Sequence, residues 1–362
     1  RKLSLLKTSD GRRLSKVVNY KGFELWWIHY DDLMSKFCLP YTQYSRLLEY
    51  LRSFSKISIH KSLFPDLFKH FLDSHNCVYE IEEEFKQKFP IGIIFQVALS
   101  VPFLLWAIVK GPKLMVWTSD FFSNKGDFDF RMEYIYLELR RRKIKFIEFI
   151  RGMESSIVVA KHSLTRRRAT IYSYAITKFV YHLTNIFSNK DNKNIKELKR
   201  QLKLDFEQAF WFEVATNYLK YSSGDINAIR ILRFIIRFLG IKSAVVPAAA
   251  SRNFHEVLAC KLEGVKIIGI LHGVASKDYN VYDFMPEFDG DRSLSVDKYG
   301  VWSQWWMEYY IKNSKAYREF WGEMAKKDIS GKPGQKEVSV LDRDDLRSQF
   351  VTSKAGVLEV VH

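Results

Sequence analysis

Two apolar runs separated by a helical pattern constrain the fold of this chain more than any other feature. The run 267–271 ends abruptly in His272 and Gly273, and a shorter run, 244–247, lies upstream of it. Between them, residues 254–264 carry apolar residues at helical spacing and end in glycine. Neither run alternates apolar with polar residues, which is typical of strands covered on both faces in a parallel sheet. The order strand, helix, strand predicts an α/β fold with a doubly wound, Rossmann-like parallel sheet.

His272 stands where such a sheet places its chemistry. In these sheets, ligands bind where the carboxyl ends of the strands open into a crevice. His272 directly follows the second run, and Gly273 lets another group approach the backbone closely. An imidazole has a pKa near neutrality and can act as a general base, so His272 is the predicted catalytic residue, with Asp278 or Asp283 as its orienting group. A histidine that only stabilises a turn is the alternative.

Polar side chains also follow the other predicted strands, at 114–118, 144–150 and 244–247. Because loops after parallel strands meet at one edge of the sheet, we expect these side chains to lie near His272. Their mixture of acids, bases and hydroxyl groups suits a polyhydroxylated ligand or its phosphate. For Asp127 and Asp129, a turn or helix-capping role is the alternative. The predicted substrate-binding residues are Gly273, Asp120, Ser123, Asn124, Lys125, Asp129, Arg252, Lys277, Asp278 and Tyr279.

Several familiar site patterns are missing from the sequence. There is no Walker lysine motif and no G-x-G-x-x-G after a strand, which weakens the case for a nucleotide site in this chain. No zinc spacing and no G-x-S-x-G elbow is present, and we predict no metal. The three cysteines, Cys38, Cys77 and Cys260, are widely spaced and odd in number. They indicate no disulfide framework, which fits a reducing compartment.

The chain is strongly basic, with a formal net charge of +16 over 362 residues. This charge favours anionic partners, namely nucleic acid, acidic lipid head groups or phosphorylated substrates, although much of it is expected on solvated helix surfaces. No RNP, KH or helix-turn-helix pattern is visible, so nucleic acid is not among the predicted partners.

Residues 91–109 form the most hydrophobic part of the chain, with no charged residue over 19 positions. Three interpretations stay open: an interfacial or re-entrant helix, a buried core helix, and a membrane span. Pro102 interrupts the run, and Gln96 and Ser100 make it less apolar, which disfavours a span. The predicted membrane-contacting residues are Ile91, Phe95, Phe103 and Trp106.

A basic amphipathic segment, 229–240, is a second candidate for a lipid contact. Arg230, Arg233 and Arg237 share one helical face, and Gly240 is a natural stop. We favour an ordinary packed helix of an α/β domain, because a predicted strand follows directly.

The order of these patterns predicts four regions. They are a small α/β unit at 1–88, the apolar helix at 89–112, a Rossmann-like domain at 113–330 and a polar tail at 331–362. In the first region we predict strands at 23–28, 57–60 and 77–81 and helices at 44–54 and 63–73. Further along, we predict a helix at 130–143, a polar turn at 222–227, and strands at 299–302 and 337–341.

The segment 245–305 resembles the end of the N-terminal domain in bacterial GT-B glycosyltransferases that build surface polysaccharides. The matching pattern is a strand, the helix FHEVLACKLEGV, the strand KIIGILHGV, the loop KDYNVYDFMPEF and DKYGVWSQWW. In that group the motif usually reads Gln-His-Gly after the strand, and Leu271 stands here in place of the glutamine. The first strand, loop, helix and strand of such a domain resemble 117–151, so the likeness covers about 113–313.

The resemblance implies an enzyme with twin Rossmann-like halves, of which the N-terminal half binds the acceptor and the C-terminal half binds the nucleotide sugar. His272 would be the acceptor base or a contact to the donor phosphate. No cofactor is implied beyond the nucleotide sugar as co-substrate. The present chain is expected to be mainly the acceptor-side half, a truncated product with little or no transfer on its own.

The function predicted from these features is transfer of a sugar to a lipid-linked or surface-glycan acceptor. The enzyme would lie in the cytoplasm, peripheral or monotopic at the inner face of the cell membrane. Two alternatives are a non-catalytic binding or scaffold protein on the same fold and a transferase of phosphate-linked polyols.

Overall fold

The structure is a computed structural model that divides into two compact units. The first unit consists of Arg1–Ile91 and Leu183–Ile226, and the second of Gly92–His182 and Asn227–His362. The residues that the structure describes are 11, 14–16, 18–29, 39–59, 65–81, 91–119, 129, 132–152, 161, 165, 169–187, 212, 222–247, 253–270, 296–301, 305 and 337–340.

The first unit begins with a short antiparallel hairpin, β1 (Asn19–Tyr20) and β2 (Phe23–Glu24). Lys21 and Gly22 form its turn with φ of 52° and 89°, values that suit a two-residue turn in which glycine is favoured. The predicted strand at 23–28 is wrong beyond β2, because Leu25–His29 winds into a 3-10 helix. An apolar run of this length marks burial without distinguishing a strand from a helix.

A second part of the first unit pairs two helices with two strands. The elements are α1 (Leu39–Arg52), β3 (Ile57–Ile59), α2 (Pro65–Ser74) and β4 (Tyr79–Ile81). The two strands run parallel, and both helices pack around the fully buried Phe71, whose ring lies 5.5 Å from that of Tyr41 in an edge-to-face contact. The predicted helices and strands of this region are confirmed, with ends shifted by a few residues.

The second unit is built on a parallel sheet. In chain order its elements, wholly or mainly within the unit, are α3 (Ile91–Lys110), β5 (Leu114–Ser119), α4 (Glu133–Arg141), β6 (Phe146–Arg151), β7 (Thr170–Ile171), α5 (Ser173–Phe187), α6 (Ser222–Leu239), β8 (Ser243–Val246), α7 (Phe254–Leu262), β9 (Lys266–Ile270), β10 (Lys298–Val301) and β11 (Glu337–Val340). The strand order is β11-β10-β9-β8-β5-β6-β7, and every neighbouring pair is parallel. The predicted mixed α/β fold with a parallel sheet is confirmed.

Helix α6 begins earlier than the sequence predicts. The turn expected at 222–227 is instead the first part of the helix, with Asp225 fully buried in the first turn. Serine and aspartate favour both turns and helix N-termini, because their side chains accept hydrogen bonds from nearby backbone N–H groups. Composition alone did not separate these two outcomes.

One hydrophobic core lies between α4 and the centre of the sheet. Tyr136 of α4 packs against Val116, Val245 and Ile270 from three neighbouring strands. A carboxylate, Glu148 of β6, is fully buried beside this core. The Tyr136 hydroxyl donates to Glu148 Oε1 at 2.8 Å, and Thr170 Oγ1 donates to Glu148 Oε2 at 3.1 Å. Burial of this carboxylate is tolerated because both of its oxygens accept a hydrogen bond.

Helices α6 and α7 are joined by an ion-pair cluster just beyond the end of α7. Arg233 Nε donates to Glu263 Oε1 at 2.7 Å, and Arg237 Nε donates to Glu263 Oε2 at 2.9 Å. The hydrogen bond from Arg237, together with the one from Arg233, holds the pKa of Glu263 below its usual value of 4.5. The side chains of Glu263 and Arg233 are only 11% and 14% exposed, so water screens this pair weakly.

We predict that Glu263→Gln lowers the free energy of unfolding at pH 7 by about 1–2 kcal/mol. This loss is smaller than expected for two fully buried hydrogen bonds between charged groups, because Arg237 is exposed to solvent. A carboxylate with a lowered folded-state pKa stabilises the protein above its unfolded-state pKa and loses that effect as the pH falls through the folded-state value. The difference between wild type and variant should therefore shrink below about pH 4.5. Urea denaturation at a series of pH values measures it.

Glu80→Gln is the matched control, because Glu80 pairs with Lys56 while both side chains are about half exposed. An exposed pair contributes little, so this variant should unfold like the wild type. A Glu263→Gln difference that stays constant down to acidic pH would contradict the assigned role of the arginines.

Candidate functional site

The carboxyl end of β5 holds a buried carboxylate, Asp129. Its Oδ2 accepts hydrogen bonds from Thr118 Oγ1 at 3.1 Å, Ser119 Oγ at 3.2 Å and Ser119 N at 3.4 Å. Its own carbonyl accepts the Met132 N–H at 2.9 Å, at the entry to α4. Of the predicted substrate-binding residues, Asp129 is the one that the structure describes, and it is 1% exposed. Its geometry makes it a clamp that ties the chain at position 129 to the end of β5.

A second buried polar pair lies where α5 and α7 begin. Ser173 follows β7, and Glu256 lies in the first turn of α7. Ser173 Oγ donates to Glu256 Oε1 at 2.5 Å, and both residues are at most 2% exposed. The ring of Tyr181, about two turns along α5, meets that of His255, in the first turn of α7, edge to face at 6.2 Å. This pair therefore fastens α5 to α7 beside the carboxyl ends of the strands.

Helix α3 contributes polar groups to the same edge. The Tyr172 N–H, just after β7, donates to Ser100 Oγ at 3.0 Å, and Ser100 Oγ donates to the Gln96 carbonyl at 3.0 Å. Gly152, just after β6, leaves room for the Gln96 amide, which would lie 2.8 Å from a Cβ at that position. The two polar residues of the apolar segment thus cover the ends of β6 and β7.

Positive charge is also present at this edge. Arg151 ends β6, and its guanidinium lies over the ring of Tyr174, 4.9 Å from the ring centroid. Stacking against the ring holds the guanidinium in one orientation.

The predicted catalytic residue, His272, lies outside the described residues, two positions after the end of β9. So do Asp120, Ser123, Asn124, Lys125, Arg252, Gly273, Lys277, Asp278 and Tyr279. The strands that carry their loops are described: β9, β8 and β5 are adjacent and parallel, with Ala244 paired to both Ile267 and Met115. The carboxyl ends of these strands therefore lie side by side. Proximity of the residues themselves stays a prediction.

Several buried polar residues of the second unit were not predicted from the sequence. Glu148, Ser173 and Glu256 were not among the predicted site residues. A signal was available for Glu148, because a single carboxylate within an apolar strand requires buried hydrogen-bond donors. No comparable signal marks Ser173 and Glu256, which are 83 positions apart.

Metal and thiol chemistry find no support in the described part of the chain. Within it, no group of three or more histidine, cysteine, aspartate or glutamate side chains is arranged to hold a metal ion. Cys260 of α7 is fully buried, and burial raises the pKa of its thiol well above the ordinary value. A thiol in this environment is a packing residue rather than a nucleophile.

The predicted membrane-contacting residues divide between two sides of α3. Ile91 is 79% and Phe95 43% exposed. Phe103, by contrast, is 7% exposed, so this residue is corrected to a core position, with its ring 6.2 Å from that of the half-buried Trp106. Among the described helices, α3 is the one that is long and apolar enough to cross a bilayer, judged by length and composition only.

Comparison with known proteins leaves the site to be judged on its own geometry. No protein-family model, no curated protein and no solved structure matches this chain.

Proposed function

We propose that the second unit is the acceptor-side half of a GT-B-type glycosyltransferase, which moves a sugar from a nucleotide sugar to a lipid-linked or surface-glycan acceptor. The observation that carries the proposal is a reversal of strand order. From β5 the chain proceeds outward to β6 and β7 on one side, and β8, β9 and β10 follow on the other side. In parallel sheets, ligands bind in the crevice beside such a reversal, at the carboxyl ends of the strands.

The connections support a doubly wound, Rossmann-like sheet. Crossovers between parallel strands are almost always right-handed. The connections β5–α4–β6 and β8–α7–β9 step in opposite directions along the sheet. Right-handed crossovers in opposite directions place α4 and α7 on opposite faces, which leaves the carboxyl ends of β5 and β8 open between them.

Each predicted residue takes a role in this crevice. His272 is the base that accepts the proton of the acceptor hydroxyl as that oxygen bonds to the anomeric carbon of the sugar, while the bond from that carbon to the nucleotide phosphate breaks and the nucleotide leaves with the electron pair. The clamp at Asp129 fixes the chain just after the predicted loop that carries Asp120, Ser123, Asn124 and Lys125. The cationic side chains of Lys125, Arg252 and Lys277, on three predicted loops, suit the phosphate of a lipid-linked acceptor.

The proposal predicts that the chain binds a polyprenyl-diphosphate-linked sugar, which carries both a phosphate and an acceptor hydroxyl, in detergent micelles and does not bind nucleotide sugars tightly. His272→Ala should weaken acceptor binding by roughly tenfold, because the hydrogen bond between the imidazole and the acceptor hydroxyl is lost. Calorimetric titration of both ligand classes measures this. His182→Ala, on α5, is the matched control, and its acceptor affinity should equal that of the wild type.

Three other results would each change the assignment. Tight binding of a nucleotide sugar would show that this is the donor-side half. Equal weakening by both histidine variants would remove His272 from the site. Binding of neither ligand class would favour the alternative of a non-catalytic binding or scaffold protein.

A further inference from the structure

Helix α3 buries two polar side chains, Gln96 and Ser100, while seven of its large apolar side chains are exposed. Gln96, Ser100, Phe103 and Ala107 recur at helical spacing and are at most 7% exposed. The large apolar residues on the opposite side form what we call the exposed α3 face, and span an arc of roughly 140° at 3.6 residues per turn. These residues are Ile91 (79% exposed), Ile94 (47%), Phe95 (43%), Val101 (57%), Leu105 (60%), Ile108 (43%) and Val109 (84%).

The buried side of α3 is bonded to the second unit. Ser100 Oγ accepts the Tyr172 N–H at 3.0 Å, and Ile93, Val97 and Leu99 pack against the core around Ile150 and Tyr172. A helix surrounded by lipid would give up these contacts and would leave the Tyr172 N–H without its acceptor. The contacts therefore favour a helix that lies along the protein surface over one that crosses a bilayer.

The exposed α3 face lacks the features of a protein-binding surface. Its seven large side chains are aliphatic or phenyl groups, and none of them donates or accepts a hydrogen bond. Interfaces between proteins usually carry about one hydrogen bond per 100–200 Å². A continuous apolar face of this extent on a helix about 30 Å long matches helices that rest in the interface of a bilayer.

Cations border the exposed α3 face at its C-terminal end. Lys110 ends the helix, and Lys113 follows it; both are exposed. Helix α6 ends beside them, since Lys113 Nζ lies 2.9 Å from the Cβ position of Gly240 and the Lys242 N–H donates to the Lys113 carbonyl at 2.8 Å. The positive charge lies where phospholipid head groups would meet an apolar helix embedded to the depth of the acyl boundary.

The C-terminal part of α6 also carries exposed aromatic and cationic side chains. Phe234 and Phe238 are 64% and 54% exposed, and their rings stack at 5.7 Å with an interplanar angle of 10°. Arg230 is exposed on the same helix, whereas Arg237 is paired with Glu263. Apolar surface bordered by arginine and lysine is complementary to a bilayer that contains anionic lipid.

We infer that the exposed α3 face docks in the plane of an anionic lipid bilayer, with Lys110 and Lys113 at the level of the head groups. This inference does not depend on glycosyl transfer, because the surface lies on α3 rather than at His272.

The test is sedimentation of the full chain with vesicles of phosphatidylcholine, with or without phosphatidylglycerol. The wild type should bind the anionic vesicles much more tightly, and added salt should weaken that binding. Val101→Glu and Leu105→Glu should each lower the vesicle affinity by roughly tenfold or more, because a charge replaces an apolar side chain that contacts lipid in the bound state. Lys110→Gln and Lys113→Gln should each lower it by roughly fivefold, on anionic vesicles only.

Val78→Glu is the matched control, because Val78 is 64% exposed in the first unit. It should bind vesicles like the wild type, and circular dichroism should show that all variants stay folded. Absence of wild-type binding to anionic vesicles at low salt would overturn the inference, as would equal loss in the Val78→Glu control. Resistance of the bound protein to alkaline carbonate would indicate a spanning helix instead. A dimer in solution that Val101→Glu dissociates, without vesicle binding, would identify a second copy as the occupant.

Discussion

Replacement of Tyr136 by alanine is expected to lower the free energy of unfolding by about 4–6 kcal/mol, the largest effect we predict for a single substitution. Tyr136 is fully buried, and its ring packs against three strands of the sheet and meets Phe146 edge to face at 5.5 Å. Truncation leaves a cavity of nearly the size of the ring, which accounts for about 3–5 kcal/mol. The remainder comes from Glu148, whose Oε1 loses its donor in a site without water access.

The two contributions can be separated by Tyr136→Phe, which keeps the ring and removes the hydroxyl. This variant should lose about 1–3 kcal/mol, the cost of a buried acceptor without its partner. A double-mutant cycle with Thr170→Val then measures the coupling between the two donors, because both bind the same carboxylate. Urea denaturation followed by circular dichroism gives each free energy.

Tyr50→Ala is the control for Tyr136→Ala, since Tyr50 is 65% exposed on α1 and its ring contacts that of Phe54 at the surface. Its cost should stay below about 1 kcal/mol. If Tyr136→Ala were as mild as this control, the core between α4 and the sheet would not be as the structure describes it.

Removal of the Asp129 carboxylate should have the next largest effect. Asp129→Ala removes the carboxylate that accepts three hydrogen bonds at the end of β5, and we expect a loss of about 2–4 kcal/mol in the free energy of unfolding. The loss concerns one backbone N–H and two hydroxyl groups, all buried. If the proposed function holds, affinity for the lipid-linked acceptor should fall as well, because Asp129 directly follows the predicted substrate-binding residues 120–125.

Asp129→Asn separates the clamp from the charge. An amide oxygen can still accept hydrogen bonds from the same donors, so this variant should retain most of the stability and most of the ligand affinity. Asp73→Ala is the control for a surface carboxylate, because Asp73 accepts one hydrogen bond, from Tyr79, in an exposed position. Unchanged stability of Asp129→Ala, by the same urea measurement, would exclude the clamp.

The sheet was predictable because its central strands are mainly apolar runs without alternation of apolar and polar residues. Strands β5, β6, β8 and β9 agree with the predicted runs to within two residues at either end. The predictions from hydrophobic periodicity were wrong where a residue type is common in two kinds of local structure. The apolar residues 25–28 form a 3-10 helix, and the polar residues 222–227 begin α6. In both cases a residue type serves two local structures equally well, and packing selects one of them.

The sequence pattern predicted where the candidate site lies, at the carboxyl ends of the strands. It did not predict the hydrogen bonds that join buried residues of the second unit. Strand ends are visible in a sequence, and the rule that parallel strands open at one edge pointed to Asp129. The bond between Ser173 and Glu256 and the two donors to Glu148 join residues on separate elements. No local pattern encodes such pairs, because they depend on how elements distant in the chain are brought together.

The sequence by itself determined that this chain forms an α/β fold with a parallel sheet, since apolar runs and helical spacing are local properties. It also determined that residues 91–109 form one long apolar helix. Only the tertiary structure decided which side of that helix faces the protein. Ser100 faces inward because its hydroxyl accepts the Tyr172 N–H, and Gln96 faces inward because Gly152 leaves space for its amide. Seven large apolar side chains are exposed as a result, and a surface of this kind cannot be recognised from composition alone.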